Sequence, residues 1–180
     1  MPDRSVKTIK DQIYFQYAKQ IARSSFWYAD WSEAKKKAYG FIKQKFKELQ
    51  SWKISWSDIT REDWQFVGSE KECIYCGYTE ELQKEHIVPK SLNINERCKD
   101  CPTIQWISNQ LWACKKCNIS KSDKGLYAFY SKILKDDPKF YDKLPSLLER
   151  KYLKTIYNCH ICNWTLDLEK EEISALDLDL

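Results

Sequence analysis

Eight cysteines fall in four Cys-x-x-Cys pairs, and this pattern constrains the fold more than any other feature of the chain. The pairs are Cys73/Cys76, Cys98/Cys101, Cys114/Cys117 and Cys159/Cys162, and no cysteine is left over. Two thiolates separated by two residues can bind one tetrahedral Zn²⁺ from a single tight turn. Four such half-sites predict two structural zinc sites, although spacing alone leaves open which half-sites combine.

The expected compartment supports metal binding over disulfide formation. Residues 1–10 are polar and carry no apolar core, so we expect no secretory signal. No run of about 18 apolar residues is present, so we expect no membrane span and no membrane partner. We therefore expect a cytoplasmic protein, and in a reducing compartment paired cysteines serve as metal ligands more readily than as disulfides.

The charge is unevenly distributed along the chain. The net charge is +4, but residues 165–180 hold six acidic residues and one lysine, so the first 164 residues carry +9. A basic body of this kind suits a polyanionic partner. Lysines that simply keep a protein soluble would produce the same composition, and charge alone does not separate the two interpretations.

The apolar pattern predicts an α+β fold in four regions. These are an N-terminal helical region (1–68), a cysteine-bearing core (69–125), C-terminal helices with the fourth pair (126–164) and an acidic tail (165–180). Helical spacing is present in residues 8–24, 34–49, 126–134 and 145–157, and a short helix is expected at 60–67. In the core, residues 83–88 and 104–112 are typical of strands, and residues 114–124 are typical of a helix.

The core also contains an ordered set of polar residues around one histidine. His86 lies in the run Lys84-Glu85-His86-Ile87-Val88-Pro89, and Asn109 precedes the later run Cys114-Lys115-Lys116-Cys117-Asn118-Ile119-Ser120-Lys121. In order and spacing, residues 71–121 resemble the HNH endonucleases, which share the ββα-metal fold. The resemblance covers roughly the middle third of the chain. It implies a small ββα-metal core stapled by zinc, with helical extensions at both ends.

The resemblance also implies a role for each of these residues. His86 would be the general base, and Asn109 would support the loop that positions it. Glu85 and Asn118 would bind a catalytic Mg²⁺ or Mn²⁺, and Lys121 matches an often basic position facing the phosphate. The first and third cysteine pairs would form one zinc site, which leaves Cys98, Cys101, Cys159 and Cys162 for a second. Two departures are Glu85, where many relatives have Asp, and Ser122, where some have His.

These roles agree with the chemistry of phosphodiester hydrolysis. An unperturbed imidazole titrates near pH ~6.5, so much of it is neutral and able to accept a proton from water. Mg²⁺ prefers oxygen ligands, which a carboxylate and an amide supply. Adjacent strand residues point to opposite faces, so Glu85 and His86 reach one site only where the strand ends or twists.

We therefore expect a metal-dependent DNA endonuclease of the HNH type, restriction-like or from a mobile element. Cutting both strands would need a homodimer or two successive nicks. Two alternatives stay open: a non-catalytic, zinc-stabilised nucleic-acid-binding protein, and an RNase. The corresponding alternatives for single residues are a core histidine at His86, a helix N-cap at Asn118 and a turn residue at Asn109.

Overall fold

The computed structural model describes residues 3–26, 31–55, 71–91, 109–133 and 144–169. The described elements follow in the order α1 (Ile9–Ser25), α2 (Trp31–Gln50), β1 (Leu82–His86), β2 (Gln110–Cys114), α3 (Lys115–Lys121), α4 (Leu126–Ile133) and α5 (Ser146–Cys162). The short helix expected at 60–67 and the second cysteine pair lie outside the described residues.

Helix α1 begins at a capping box and packs its apolar face against α2 and α5. The Asp11 amide donates to Thr8 Oγ1 and the Thr8 amide donates to Asp11 Oδ2, both at 3.2 Å. These bonds satisfy backbone donors that the first helical turn leaves free. Against α2, the ring of Phe15 meets the ring of Phe46 edge-on at 5.6 Å.

Helix α5 is joined to α1 through a buried carboxylate as well as through apolar contact. Glu149 is 1% exposed and accepts hydrogen bonds from Gln16 Nε2 (3.2 Å) and Tyr127 Oη (2.8 Å). It also forms an ion pair with Arg23. A buried charge is tolerated only when it is paired and hydrogen-bonded, so this network fixes how α1, α4 and α5 meet.

The chain after α5 returns to the start of α1. The Ile9 amide donates to Leu168 O (3.1 Å), and the Lys10 amide donates to Leu166 O (2.8 Å). The first residues of the predicted acidic tail are thereby held against the helical layer.

Strands β1 and β2 form a two-stranded antiparallel sheet in which Leu82 faces Cys114 and His86 faces Gln110. Helix α3 follows β2 directly and packs against this hairpin. Helix α4 connects the hairpin region to the helical layer. Tyr75 packs edge-on against Phe129 of α4 at 5.0 Å, and Tyr127 of α4 packs edge-on against α5 at Tyr152, at 5.6 Å.

The prediction of an α+β chain is confirmed, since the structure has helices and a two-stranded antiparallel sheet. The finer assignment to a ββα-metal nuclease core stays a prediction. Among the described residues, no helix combines the length and the apolar character that crossing a membrane requires.

Candidate metal centre and the adjoining histidine

The structure brings the first and third cysteine pairs together. The sulfur atoms of Cys73, Cys76, Cys114 and Cys117 all lie within 4.8 Å of one another, and Cys76 Sγ is 3.8 Å from Cys114 Sγ. A tetrahedral Zn²⁺ with Zn–S bonds of about 2.3 Å separates its sulfur ligands by about 3.8 Å. The donor set and its spacing therefore fit one structural zinc ion, and these four residues are called the cysteine cluster below.

A tight turn places the first two sulfur atoms of the cysteine cluster. The Gly77 amide donates to Cys73 O (2.7 Å), and the Cys73 amide donates to Tyr78 O (2.7 Å). Gly77 has φ +74°, a left-handed conformation that side chains disfavour and glycine adopts freely. The Ile74 amide donates to Trp112 O (3.1 Å), which attaches this turn to β2.

The other two sulfur atoms are placed where β2 becomes α3. Cys114 is the last residue of β2 and the N-cap of α3, and its Sγ accepts a bond from the Cys117 amide at 3.5 Å. This amide bond lowers the pKa of the Cys114 thiol to about 7, whereas burial raises the pKa of Cys117. The thiol that ends the strand thus acquires thiolate character near neutral pH, as a zinc ligand requires.

The second predicted zinc site is described only in part. Cys159 and Cys162 lie in the last turn of α5, with Cys159 buried and Cys162 exposed, while Cys98 and Cys101 lie outside the described residues. In the part of the chain that the structure describes, the cysteine cluster is the one group of three or more ligand side chains close enough to share a metal. The second zinc ion therefore stays a prediction.

His86 lies at the end of β1, and one of its ring nitrogens makes no hydrogen bond to the described residues. It is half-buried, and its Nε2 is inaccessible to solvent and has no hydrogen-bond partner among the described residues. Burial lowers the pKa of the imidazole, and the charges of Lys90 and Lys121 lower it further. The ring is therefore neutral at neutral pH and can accept a proton.

Asn109 holds the backbone that follows His86. It is fully buried, its Oδ1 accepts from the Val88 amide (2.8 Å), and its Nδ2 donates to Val88 O (3.0 Å). Its own carbonyl accepts from the Ile87 amide at 2.9 Å. Three hydrogen bonds from Asn109 thus fix the backbone of the two residues after His86.

Glu85 points to the side of the sheet that α3 covers. It is 5% exposed, and its Oε1 lies 2.7 Å from Nζ of Lys121, which is 0% exposed. The same ammonium group donates to His86 O at 3.1 Å. Burial raises the pKa of Glu85, and the Lys121 charge opposes that rise. Lys121 therefore faces Glu85 here, and not the solvent in which a phosphate would lie.

Asn118 lies one helical turn before Lys121 and contacts the same strand. Its Nδ2 donates to Gln83 Oε1 at 3.1 Å, which leaves Oδ1 outside this bond. The N-cap of α3 is Cys114, so Asn118 does not have the capping role that its residue type also suggested. The Asn118–Gln83 and Lys121–Glu85 contacts run side by side between α3 and β1.

Two neighbours of this site were not identified from the sequence. Gln83 accepts a hydrogen bond from the side-chain amide of Asn118. Tyr75 lies close to Glu85, although its buried hydroxyl makes no hydrogen bond of good geometry to the described residues. The signal for Tyr75 was available, because it is the aromatic residue inside the first cysteine pair. Gln83 had no signal beyond its position two residues before Glu85.

No family profile, curated protein or solved structure matches this chain. Evidence for the function of this chain therefore comes from the geometry of the cysteine cluster and of the residues around His86.

Proposed function

We propose that this chain is a zinc-stabilised nuclease of the HNH type that hydrolyses phosphodiester bonds in DNA, with His86 as the general base. The observation that carries the proposal is His86 Nε2, which has no hydrogen-bond partner among the described residues and belongs to a strand end that Asn109 holds in place. An imidazole nitrogen that makes no hydrogen bond keeps the lone pair with which a general base accepts a proton.

The chemical step assigned to His86 is proton removal from the attacking water. Hydrolysis requires that water to lie in line with the leaving 3′ oxygen, and the neutral imidazole accepts its proton as the bond to phosphorus forms. The lowered pKa of His86 keeps the base form populated at neutral pH. Asn109 contributes by fixing the backbone at Val88, and so the direction of the imidazole.

The cysteine cluster supports this site without taking part in the chemistry. Its four sulfur atoms tie the turn at residues 73–77 to the junction between β2 and α3. Helix α3 in turn contacts β1 through Asn118 and Lys121. A bound zinc would therefore hold the strand that carries His86 against the helix that faces it.

The donor chemistry beside His86 suits the catalytic Mg²⁺ or Mn²⁺ expected from the sequence. Neither oxygen of Glu85 has a hydrogen bond of good geometry in the described part of the chain, and Lys121 stands beside them as a cation. Asn118 keeps Oδ1 outside its bond to Gln83. A hard cation held there would supply charge stabilisation for the leaving oxygen. Glu85 and Asn118 are the residues that would hold it.

Charge supports a nucleic acid as the substrate. The first 164 residues carry +9, and on α3 the side chains of Lys115, Lys116 and Ile119 are exposed. Lysines on the helix next to the site would contact phosphates and weaken binding as salt rises.

The test compares cleavage and binding in the zinc-loaded protein. Wild-type protein with Mg²⁺ or Mn²⁺ is expected to nick or linearise plasmid DNA. His86→Ala is expected to bind the same DNA with unchanged affinity and to leave it intact, whereas Lys84→Gln, which changes an exposed residue of β1, should keep the cleavage rate. Binding without cleavage by the wild-type protein would favour the non-catalytic alternative. Preferential cutting of RNA in the same assay would favour an RNase.

A further inference from the structure

The ammonium group of Lys121 lies beside Glu85, the carboxylate that the proposed function assigns to a divalent cation. Its Nζ lies 2.7 Å from Glu85 Oε1 and donates to His86 O at 3.1 Å. Lys121 is 0% exposed, although it is the last residue of a short helix. Lysine is almost never fully buried unless it is paired, so Glu85 is the reason this side chain points inward.

The carboxylate is not saturated by this one partner. An ionised carboxylate has room for about four hydrogen bonds, yet neither oxygen of Glu85 has one of good geometry within the described residues. The nearby Tyr75 hydroxyl is also buried without such a bond. Glu85 is therefore held mainly by its ion pair with Lys121. Its oxygen atoms keep lone pairs that a divalent cation would bind.

An ammonium and a divalent cation cannot share this position at low cost. Both are positively charged, the surroundings are buried, and Coulomb repulsion between close charges is strong away from water. Lys121 is the last residue of α3 and the next residue, Ser122, is exposed, so solvent lies one residue beyond Lys121 along the chain.

We propose that Lys121 is the resident counter-ion of Glu85 and competes with a divalent cation for that carboxylate, so that the cation binds only when Lys121 turns outward. This inference builds on the proposed function, because it concerns the cation of that site. It gives Lys121 the role of a positioning residue in the cation-free protein, where it also holds the His86 carbonyl.

The test measures Mn²⁺ binding to zinc-loaded protein without any nucleic acid. Lys121→Met is expected to bind Mn²⁺ about tenfold more tightly than the wild type. Lys121→Arg, which keeps the charge, is expected to bind Mn²⁺ as weakly as the wild type. Lys116→Met removes the same charge from an exposed position of the same helix and is expected to change the affinity less than about twofold. Adding Glu85→Gln should abolish the gain in the Lys121→Met background. Equal or weaker Mn²⁺ binding by Lys121→Met, with native zinc content, would overturn the proposal.

A second measurement uses the wild-type protein and does not depend on folding of a variant. Reductive methylation followed by mass spectrometry is expected to leave Lys121 protected without added cation and to label it when Mn²⁺ is added. Protection that persists at saturating Mn²⁺ would contradict the displacement, as would the absence of any Mn²⁺ binding. Because neither measurement monitors cleavage, failure of the nuclease proposal and failure of this one are distinguishable.

Discussion

Replacing Asn109 with alanine should damage the His86 site more than the loss of one side chain suggests. Both polar atoms of the Asn109 side chain bond to Val88, at 2.8 and 3.0 Å, and Val88 is fully buried. The substitution therefore leaves the amide and the carbonyl of Val88 without these partners. Each buried unsatisfied group costs about 1–3 kcal/mol, so for the two groups we expect a loss of about 2–6 kcal/mol.

The assay is urea unfolding at a fixed free Zn²⁺ concentration, because bound metal contributes to the free energy of unfolding. Asn118→Ala is the matched control. It removes the same side chain, whose hydrogen bond to Gln83 is exposed, and should cost less than about 1 kcal/mol. Displacing His86 by about 1 Å should also slow cleavage on the order of 100-fold in Asn109→Ala. Equal losses of stability in the two variants would refute the claim that Asn109 fixes the backbone at Val88.

Three further predictions concern the rest of the molecule. Glu149→Gln leaves the Arg23 charge in a buried network and should lower the free energy of unfolding by about 3–5 kcal/mol, whereas Glu48→Gln, at a partly exposed pair with Lys45, should change the thermal midpoint less. Hydrogen bonds from Tyr39, then Ser5, lower the pKa of Asp3, so its stabilisation is present above its unfolded pKa of about 3.9 and is lost as the pH falls below that value. Asp3→Asn should therefore be less stable than the wild type at pH 7 and should converge with it in acid denaturation. Zinc in the cysteine cluster should dissociate on acidification as protons compete for the thiolates, Cys114 having a pKa of about 7 without metal; zinc retained at pH 4 in a chelator assay would contradict this.

Local patterns predicted the elements, and tertiary contacts decided their ends. The apolar repeat predicted α1, and the core strand expected at 83–88 is present as Leu82–His86. The ladder pattern continues one residue further, because the Ile87 amide bonds to the carbonyl of Asn109, which faces it in the register. It stops at Val88, whose amide bonds to the Asn109 side chain instead of to a backbone carbonyl. The last helix continues past 157 to Cys162, so the fourth cysteine pair lies on a helix.

In the site, too, features that depend on neighbouring residues were predictable, and contacts between residues far apart in the chain were not. Spacing and the family resemblance together anticipated the cysteine cluster, because zinc ligands from two tight turns are a local pattern. The burial of Lys121 was not predictable, since its partner Glu85 lies on a strand 36 positions earlier and the two meet only through the packing of α3 on β1. Tyr75 is brought near Glu85 by the turn at residues 73–77, which is attached to β2 through the Ile74 amide.

The central claim is that His86 is the general base of a phosphodiester hydrolase. The most direct measurement is the single-turnover rate of DNA cleavage by wild-type protein and by His86→Asn, at matched zinc content and with bound DNA verified. Loss of a general base should slow the reaction by about 10²–10⁴-fold without changing the amount of DNA bound. Rates that agree within about threefold, or wild-type protein that binds DNA and never cuts it, would contradict the claim.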